Sequence, residues 1–185
     1  MREFLTLVHE CADFDKWKAD YDADAGNRQA AGLTDLVLVR QADRPNVIAL
    51  IFEVSDSAKA MAFVTSRVLR EVMQKAGITG APDVHFRRGE FTVPDSSQYL
   101  TVNCRVRDFE TFRKAYAADK ADRLAAGLTD VGVLRDANDP TNLLLLWSID
   151  DMAKAKSFLE SPALAEHQTK NAGLIGEPIP RFWRP

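Results

Sequence analysis

The segment Ala31-Gly32-Leu33-Thr34-Asp35 returns as Ala126-Gly127-Leu128-Thr129-Asp130, 95 positions later in a chain of 185 residues. Other residues fall into step around it. Asp13-Phe14 answers Asp108-Phe109, Tyr21 answers Tyr116 and Arg28 answers Arg123. Asn46 matches Asn142, Phe63 matches Phe158, and Ala76-Gly77 matches Ala172-Gly173. A long period with only two copies is a duplicated domain and not a solenoid, whose repeats are short and several. The halves are placed at 1–90 and 98–185, with a polar, Pro- and Ser-containing linker at 91–97. Each half is large enough for one small core.

The first half reads β-α-β-β-α-β. Phe4 to Cys11 is rich in β-formers, and Asp13 stands as the N-cap of a helix carrying Phe14, Trp17, Tyr21, Ala25 and Arg28 at helical spacing. Gly32 ends that helix in a left-handed cap. Thr34–Gln41 and Val47–Val54 form a hairpin about Asp43-Arg44-Pro45-Asn46. Ser55-Asp56-Ser57 caps a second helix that runs to Ala76, and Gly77–Pro82 is a turn before a short strand, Asp83–Arg88. The second half repeats the order: Tyr99–Arg105, helix 108–126, Leu128–Asp136, Asn142–Ile149, helix 151–172 and Ile179–Arg184. Asp139-Pro140-Thr141-Asn142 is read as one residue longer than the first hairpin. Ser161-Pro162 predicts a break and restart in the last helix, serine as cap and proline at the first helical position.

Leu36-Val37-Leu38-Val39 and Leu143-Leu144-Leu145-Leu146-Trp147 are apolar on both faces. A free antiparallel sheet covers one face with helices and wets the other. Here the second face must also be hidden, at roughly 25 cal/mol for each Å² of apolar area buried. The expected fold is α+β: two tandem ferredoxin-like βαββαβ halves whose sheets pack as a fused barrel. The halves pair within one chain, as a monomeric pseudo-dimer, or across two chains as a homodimer.

The pattern Asp13-Phe14…Trp17…Tyr21, Ala31-Gly32-Leu33-Thr34, Pro45-Asn46, the Ala-x-x-Phe helix and the Ala76-Gly77-x-x-Gly80-x-Pro82 turn resembles the dimeric α+β barrel superfamily. Within it the chain is most similar to antibiotic-biosynthesis-monooxygenase-like proteins and small bacterial proteins labelled "cyclase". The signature appears twice, the second time as Asp108-Phe109…Phe112…Tyr116. The resemblance implies cofactor-free oxygenase, isomerase or haem-associated activities, or none; shared fold does not choose among them.

Composition narrows the partners. With 24 basic and 27 acidic residues the formal charge is −3, and the cations are scattered, so nucleic acid is not expected. No apolar run is long enough for a signal peptide or membrane span, which predicts a cytoplasmic protein with no membrane partner. Cys11 and Cys104 are too few for a disulfide framework or thiolate site and are read as buried reduced thiols. Three dispersed histidines, His9, His85 and His167, lack ligand spacing, so no metal and no cofactor are expected. Neither a phosphate-binding loop nor a GxSxG or HExxH motif is present.

The candidate site residues are therefore polar or aromatic groups on apolar elements. His9 shares a strand face with Leu5 and Leu7, as a proton shuttle in a cavity or a satisfied core histidine. His85 is the other weak catalytic candidate, and His167 is expected in solvent. Trp17 and Tyr21, with Phe112 and Tyr116, are core residues or the wall of an apolar pocket. Arg28 and Arg123 reach an anionic ligand or a carboxylate such as Asp35 or Asp130, or cover the core edge. Arg40 and Arg135 are read as surface residues. Asn103, facing with Tyr99 and Thr101, is a candidate ligand contact. Two functions follow: an enzyme on a small apolar or aromatic metabolite, or a binding or structural protein with a packed core. A pocket of several hundred Å³ with convergent polar groups favours the first. Because His9 faces Cys104 across the repeat, His85 faces Arg181 and Val8 faces Asn103, one competent pocket is expected, in the first half.

Overall fold

A computed structural model of the chain describes residues 1–93, 96–162, 164, 165 and 173–185. It separates into two compact units, Met1–Arg88 with Pro185, and Gly89–Arg184. His167 and the end of the last expected helix lie outside the described residues.

The first unit contains β1 (Arg2–Cys11), α1 (Phe14–Ala23), α2 (Ala25–Ala30), β2 (Leu33–Gln41), β3 (Val47–Val54), α3 (Ser57–Val64), α4 (Arg67–Lys75) and β4 (Ile78–Phe91), whose last three residues belong to the second unit. β1 and β2 both pair antiparallel with β3, and β4 lies along the other edge of β1. The strand order β4-β1-β3-β2 is ferredoxin-like. The second unit has β5 (Tyr99–Val106), α5 (Phe109–Ala118), α6 (Lys120–Ala125), β6 (Leu128–Asp136), β7 (Asn142–Ile149), α7 (Met152–Leu159) and β8 (Leu174–Arg184), with strand order β8-β5-β7-β6. The fold class is α+β, as the sequence pattern predicts.

Helix starts follow the capping residues. Asp13 accepts from Lys16 N at 2.9 Å, Asp108 from Thr111 N at 2.7 Å, and Asp56 and Asp151 from Lys59 N and Lys154 N at 3.0 Å. The helices themselves are shorter than their apolar stripes imply. Asp24 and Asp119, near ψ 7 and ψ 5, break the first helix of each unit in two. Ser66 breaks the second helix by capping α4 through Leu69 N at 3.0 Å. The serine-proline break expected at Ser161 is present, with Leu164 N donating to Ser161 Oγ at 3.2 Å.

Two further expectations are corrected. The hairpins have equal length: Thr141, not Asn142, occupies the place of Asn46, each offering its carbonyl to the end of the first strand. The 95-residue offset therefore holds through β7, and it becomes 96 by Gly173, the partner of Gly77. The turn expected at Gly77–Pro82 is instead the start of a 14-residue strand, which tolerates Gly80 at φ +80°.

In each unit the helices cover one sheet face. Leu5, Cys11, Trp17, Leu33, Ile48, Leu50 and Phe52 form the first core, and Leu100, Val102, Phe112, Leu128, Leu143, Leu145 and Trp147 the second. The opposite faces are buried as well, at Phe4, Thr6, Val39 and Ile51 in the first unit and at Leu134, Leu144 and Leu146 in the second, in line with strands apolar on both sides. There Arg87, only 2% exposed, donates from Nε to Thr6 Oγ1 at 3.1 Å. Trp183, its counterpart, donates from Nε1 to Thr101 Oγ1 at 2.8 Å.

Candidate functional site: a cavity between helix and sheet

An aromatic stack runs under the first helix of each unit. Phe14 lies 5.8 Å from Trp17, and Trp17 lies 4.9 Å from Tyr21. In the second unit Phe109, Phe112 and Tyr116 follow at 6.4 and 5.5 Å. Guanidiniums close both ends. Arg28 sits 3.7 Å over Tyr21 and Arg40 3.9 Å over Phe14, and Arg123 and Arg135 repeat this over Tyr116 and Phe109 at 3.7 and 4.1 Å. Arg40 and Arg135 are thus half-buried stacking partners and not free surface residues. Their matched positions across the repeat were the signal for this.

Arg28 and Arg123 are both buried at 5% exposure. Arg28 holds Asp35 with both arms, Nε to Oδ1 at 3.1 Å and Nη2 to Oδ2 at 2.9 Å, and donates to Tyr21 O at 2.6 Å. Arg123 does the same with Asp130 at 3.0 and 3.0 Å and with Tyr116 O at 2.6 Å. This bidentate geometry uses the guanidinium's fork on an internal carboxylate, the alternative open in the sequence, and engages all three of its nitrogens.

The units then diverge. In the second, Asp130 Oδ1 also accepts from the Tyr116 hydroxyl at 2.8 Å and from Trp147 Nε1 at 2.9 Å. Burial alone would raise the Asp130 carboxyl, but the hydrogen bonds from Arg123 and Tyr116 outweigh it and hold the group below the usual carboxylate range. In the first unit Phe52 stands where Trp147 stands, opposite Asp35 in the register. Phe52 has no N–H to give, and the network is smaller by that donor. Burial pushes both tyrosine hydroxyls up, so each stays protonated.

The space between helices and sheet differs as well. The first unit has a partly open cavity of about 200 Å³, walled by Leu5, Leu7 and His9 of β1, Leu50 and Phe52 of β3, Trp17, Tyr21 and Arg28 of α1 and α2, and residues of α3, α4 and β4. Its counterpart among the described residues of the second unit measures about 70 Å³. The first is smaller than the several hundred Å³ expected of an enzyme pocket, which limits what it can hold.

His9 is the polar group of this inner wall. It is 6% exposed, its ring is 5.2 Å from Trp17, and both ring nitrogens are buried without a hydrogen-bond partner. Desolvation lowers its pKa to about 4, so the imidazole is neutral at physiological pH. Its counterpart Cys104 lines the smaller cavity.

Of the residues singled out in the sequence, His9, Trp17, Tyr21 and Arg28 meet around the first cavity, and Tyr116 and Arg123 around the second. His85 and Asn103 join neither. Alternation along β4 turns Pro82 and Val84 to the cavity and His85 away, where Nε2 lies 2.9 Å from Asp83 Oδ1. Alternation along β5 likewise turns Val102 and Cys104 to the helices and Asn103 away, its Oδ1 buried and unpartnered. Cys11 and Cys104 are buried and are not joined in a disulfide. Sequence reasoning missed the contribution of Ile78 and Pro82 to the wall, because it read the first five residues of that strand as a turn. Among the described residues no cluster of three or more His, Cys, Asp or Glu side chains could hold a metal ion, and no helix is long and apolar enough to cross a membrane.

The sequence matches no protein-family model and no curated protein. Solved structures do resemble it. An anthrone oxidase-like protein superposes with a TM-score of 0.62 at 10% identity, over 99% of this chain and 90% of its own. A monooxygenase-like protein from Listeria innocua gives 0.55 at 10% identity, over 99% and 93%. A ferredoxin-fold protein related to antibiotic biosynthesis monooxygenases, from Listeria monocytogenes, gives 0.54 at 11%, over 100% and 95%. The likeness runs the length of the chain, and at such identities it concerns fold. This chain has the α+β fold of the antibiotic-biosynthesis-monooxygenase-like proteins.

Proposed function

We propose that the protein binds a small, largely apolar or aromatic metabolite in the cavity of its first unit. The observation that carries this reading is His9: a buried imidazole with both nitrogens unpaired beside an apolar space of about 200 Å³. Leaving such a group unsatisfied costs about 1–3 kcal/mol, which a ligand's polar group recovers. The shared fold with monooxygenase-like proteins suggests cofactor-free monooxygenase- or cyclase-like chemistry on that ligand. The second unit is the structural half in this reading: the counterpart of the first-unit cavity among the described residues is about 70 Å³, and Asp130 is saturated by Arg123, Tyr116 and Trp147. A cytoplasmic location fits the reduced, buried cysteines.

A thermal-shift screen of small aromatic metabolites tests the reading, since a ligand specific for the native state raises Tm. Hits lost in His9→Leu and kept in Cys104→Ser support it; no stabilising compound, or hits indifferent to His9, count against it. Oxygen uptake in the presence of a hit then separates an oxygenase from a protein that only binds.

A further inference from the structure

Size comes first. About 200 Å³ lies below the roughly 300–1,000 Å³ of sites for drug-sized ligands, while an apolar cavity of about 150 Å³ holds one benzene molecule. One ring with a short substituent fits wholly within this space; two or three fused rings would protrude through its open side.

Charge comes next. Arg28 is committed to Asp35 through both arms, and half-buried Asp24 accepts from the Asn27 side chain at 2.5 Å. Arg70 borders the cavity from the exposed side of α4. No buried, unengaged charge on the wall would pair an ionised ligand, and an unpaired buried ion is costly. An occupant lying within the buried part of the cavity, clear of Arg70 at its exposed edge, is therefore neutral.

His9 supplies the remaining constraint. A neutral imidazole has one N–H donor and one acceptor nitrogen, and either nitrogen can carry the proton. A carbonyl can serve only the N–H, and an amine nitrogen without hydrogen likewise. A hydroxyl both donates and accepts, so it satisfies whichever nitrogen meets it in either tautomer.

We propose that the occupant of the first-unit cavity is a neutral single-ring phenol, its hydroxyl on the His9 imidazole and its ring against Trp17 and Phe52. This rests on the reading of that cavity as a ligand site and adds the class of ligand. His9 acts here as a positioning residue. An imidazole with its pKa near 4 is too weak a base to take a proton from a phenol titrating near 10, so the pair stays a neutral hydrogen bond.

The test titrates the full chain at pH 7.5 with p-cresol, with toluene, which has the same ring and methyl group without the hydroxyl, and with the two-ring 2-naphthol. Binding is read by calorimetry and by the nitrogen shifts of the His9 ring. The expected result is p-cresol bound about tenfold more tightly than toluene, the difference one buried hydrogen bond makes, and 2-naphthol bound more weakly than p-cresol. The His9 ring shifts should move with p-cresol and not with toluene, and His9→Leu should erase the preference. Should that variant not fold, the wild-type ratio and the ring shifts decide alone. Toluene or 2-naphthol binding as tightly as p-cresol overturns the phenol assignment and leaves the cavity as a ligand site. Absence of binding by all three overturns the assignment and the ligand site together.

Discussion

Replacing His9 with leucine should flatten the acid dependence of stability. In the folded chain desolvation lowers the His9 pKa from 6.5 to about 4. Between those values the unfolded state binds the proton more readily than the folded state. Stability therefore rises with pH through this window and is lost as pH falls from 6.5 towards 4. The full shift corresponds to about 3 kcal/mol, of which about 2 kcal/mol is already lost at pH 5.0. Leucine carries no proton and suits a face shared with Leu5 and Leu7, both cavity-lining residues. Urea unfolding of wild type and His9→Leu at pH 7.5 and 5.0, followed by circular dichroism, isolates the effect, because the carboxylates common to both proteins cancel in the double difference. Wild type should lose about 2 kcal/mol more than the variant on acidification, while at pH 7.5 the variant should be at least as stable, having removed an unpaired buried polar group. Parallel pH profiles would refute the claim that His9 is buried neutral and unpartnered.

Asp130→Ala should cost about 3–5 kcal/mol, since it strands a buried guanidinium together with the Tyr116 hydroxyl and the Trp147 indole N–H. Asp35→Ala should cost less in the same unfolding assay, because the Asp35 side chain is 47% exposed against 31% and has no indole partner. Acid should weaken the second unit through Asp130: its lowered carboxyl contributes stability above the ordinary aspartate pKa that is lost as pH falls through the folded value. Gly127→Ala should cost about 1–2 kcal/mol from φ +72° alone, with an added clash at 3.0 Å from Asp151 N. Gly80→Ala should cost less than Gly127→Ala in the same measurement, because φ +80° is there the sole penalty and nothing lies within 4 Å.

Much of the architecture was legible because it rests on local chemistry written twice. Asp13 and Asp108 cap helices, Gly32 and Gly127 end them at positive φ, and runs such as Leu143–Trp147 can only be strands buried on both faces. What escaped was set by details that periodicity does not see. The stripe through Tyr21 and Arg28 is continuous in the sequence, yet the backbone breaks at Asp24, and Arg28 folds back over Tyr21 across the break. Strand β4 begins before a glycine at φ +80° that reads as a turn. His9, Trp17, Tyr21 and Arg28 could be nominated because they lie on apolar faces, whereas His85 on β4 and Asn103 on β5 have the opposite parity to their cavity-lining neighbours Val84 and Val102. Cavity size was not legible: it is the residue of packing, which periodicity does not record.

The central claim is that the chain carries one competent cavity, in the first unit, with His9 in its wall. Calorimetric titration with p-cresol measures this directly as a stoichiometry. The account predicts one molecule bound per chain; two per chain, or one per chain retained at unchanged affinity in His9→Leu, would contradict it.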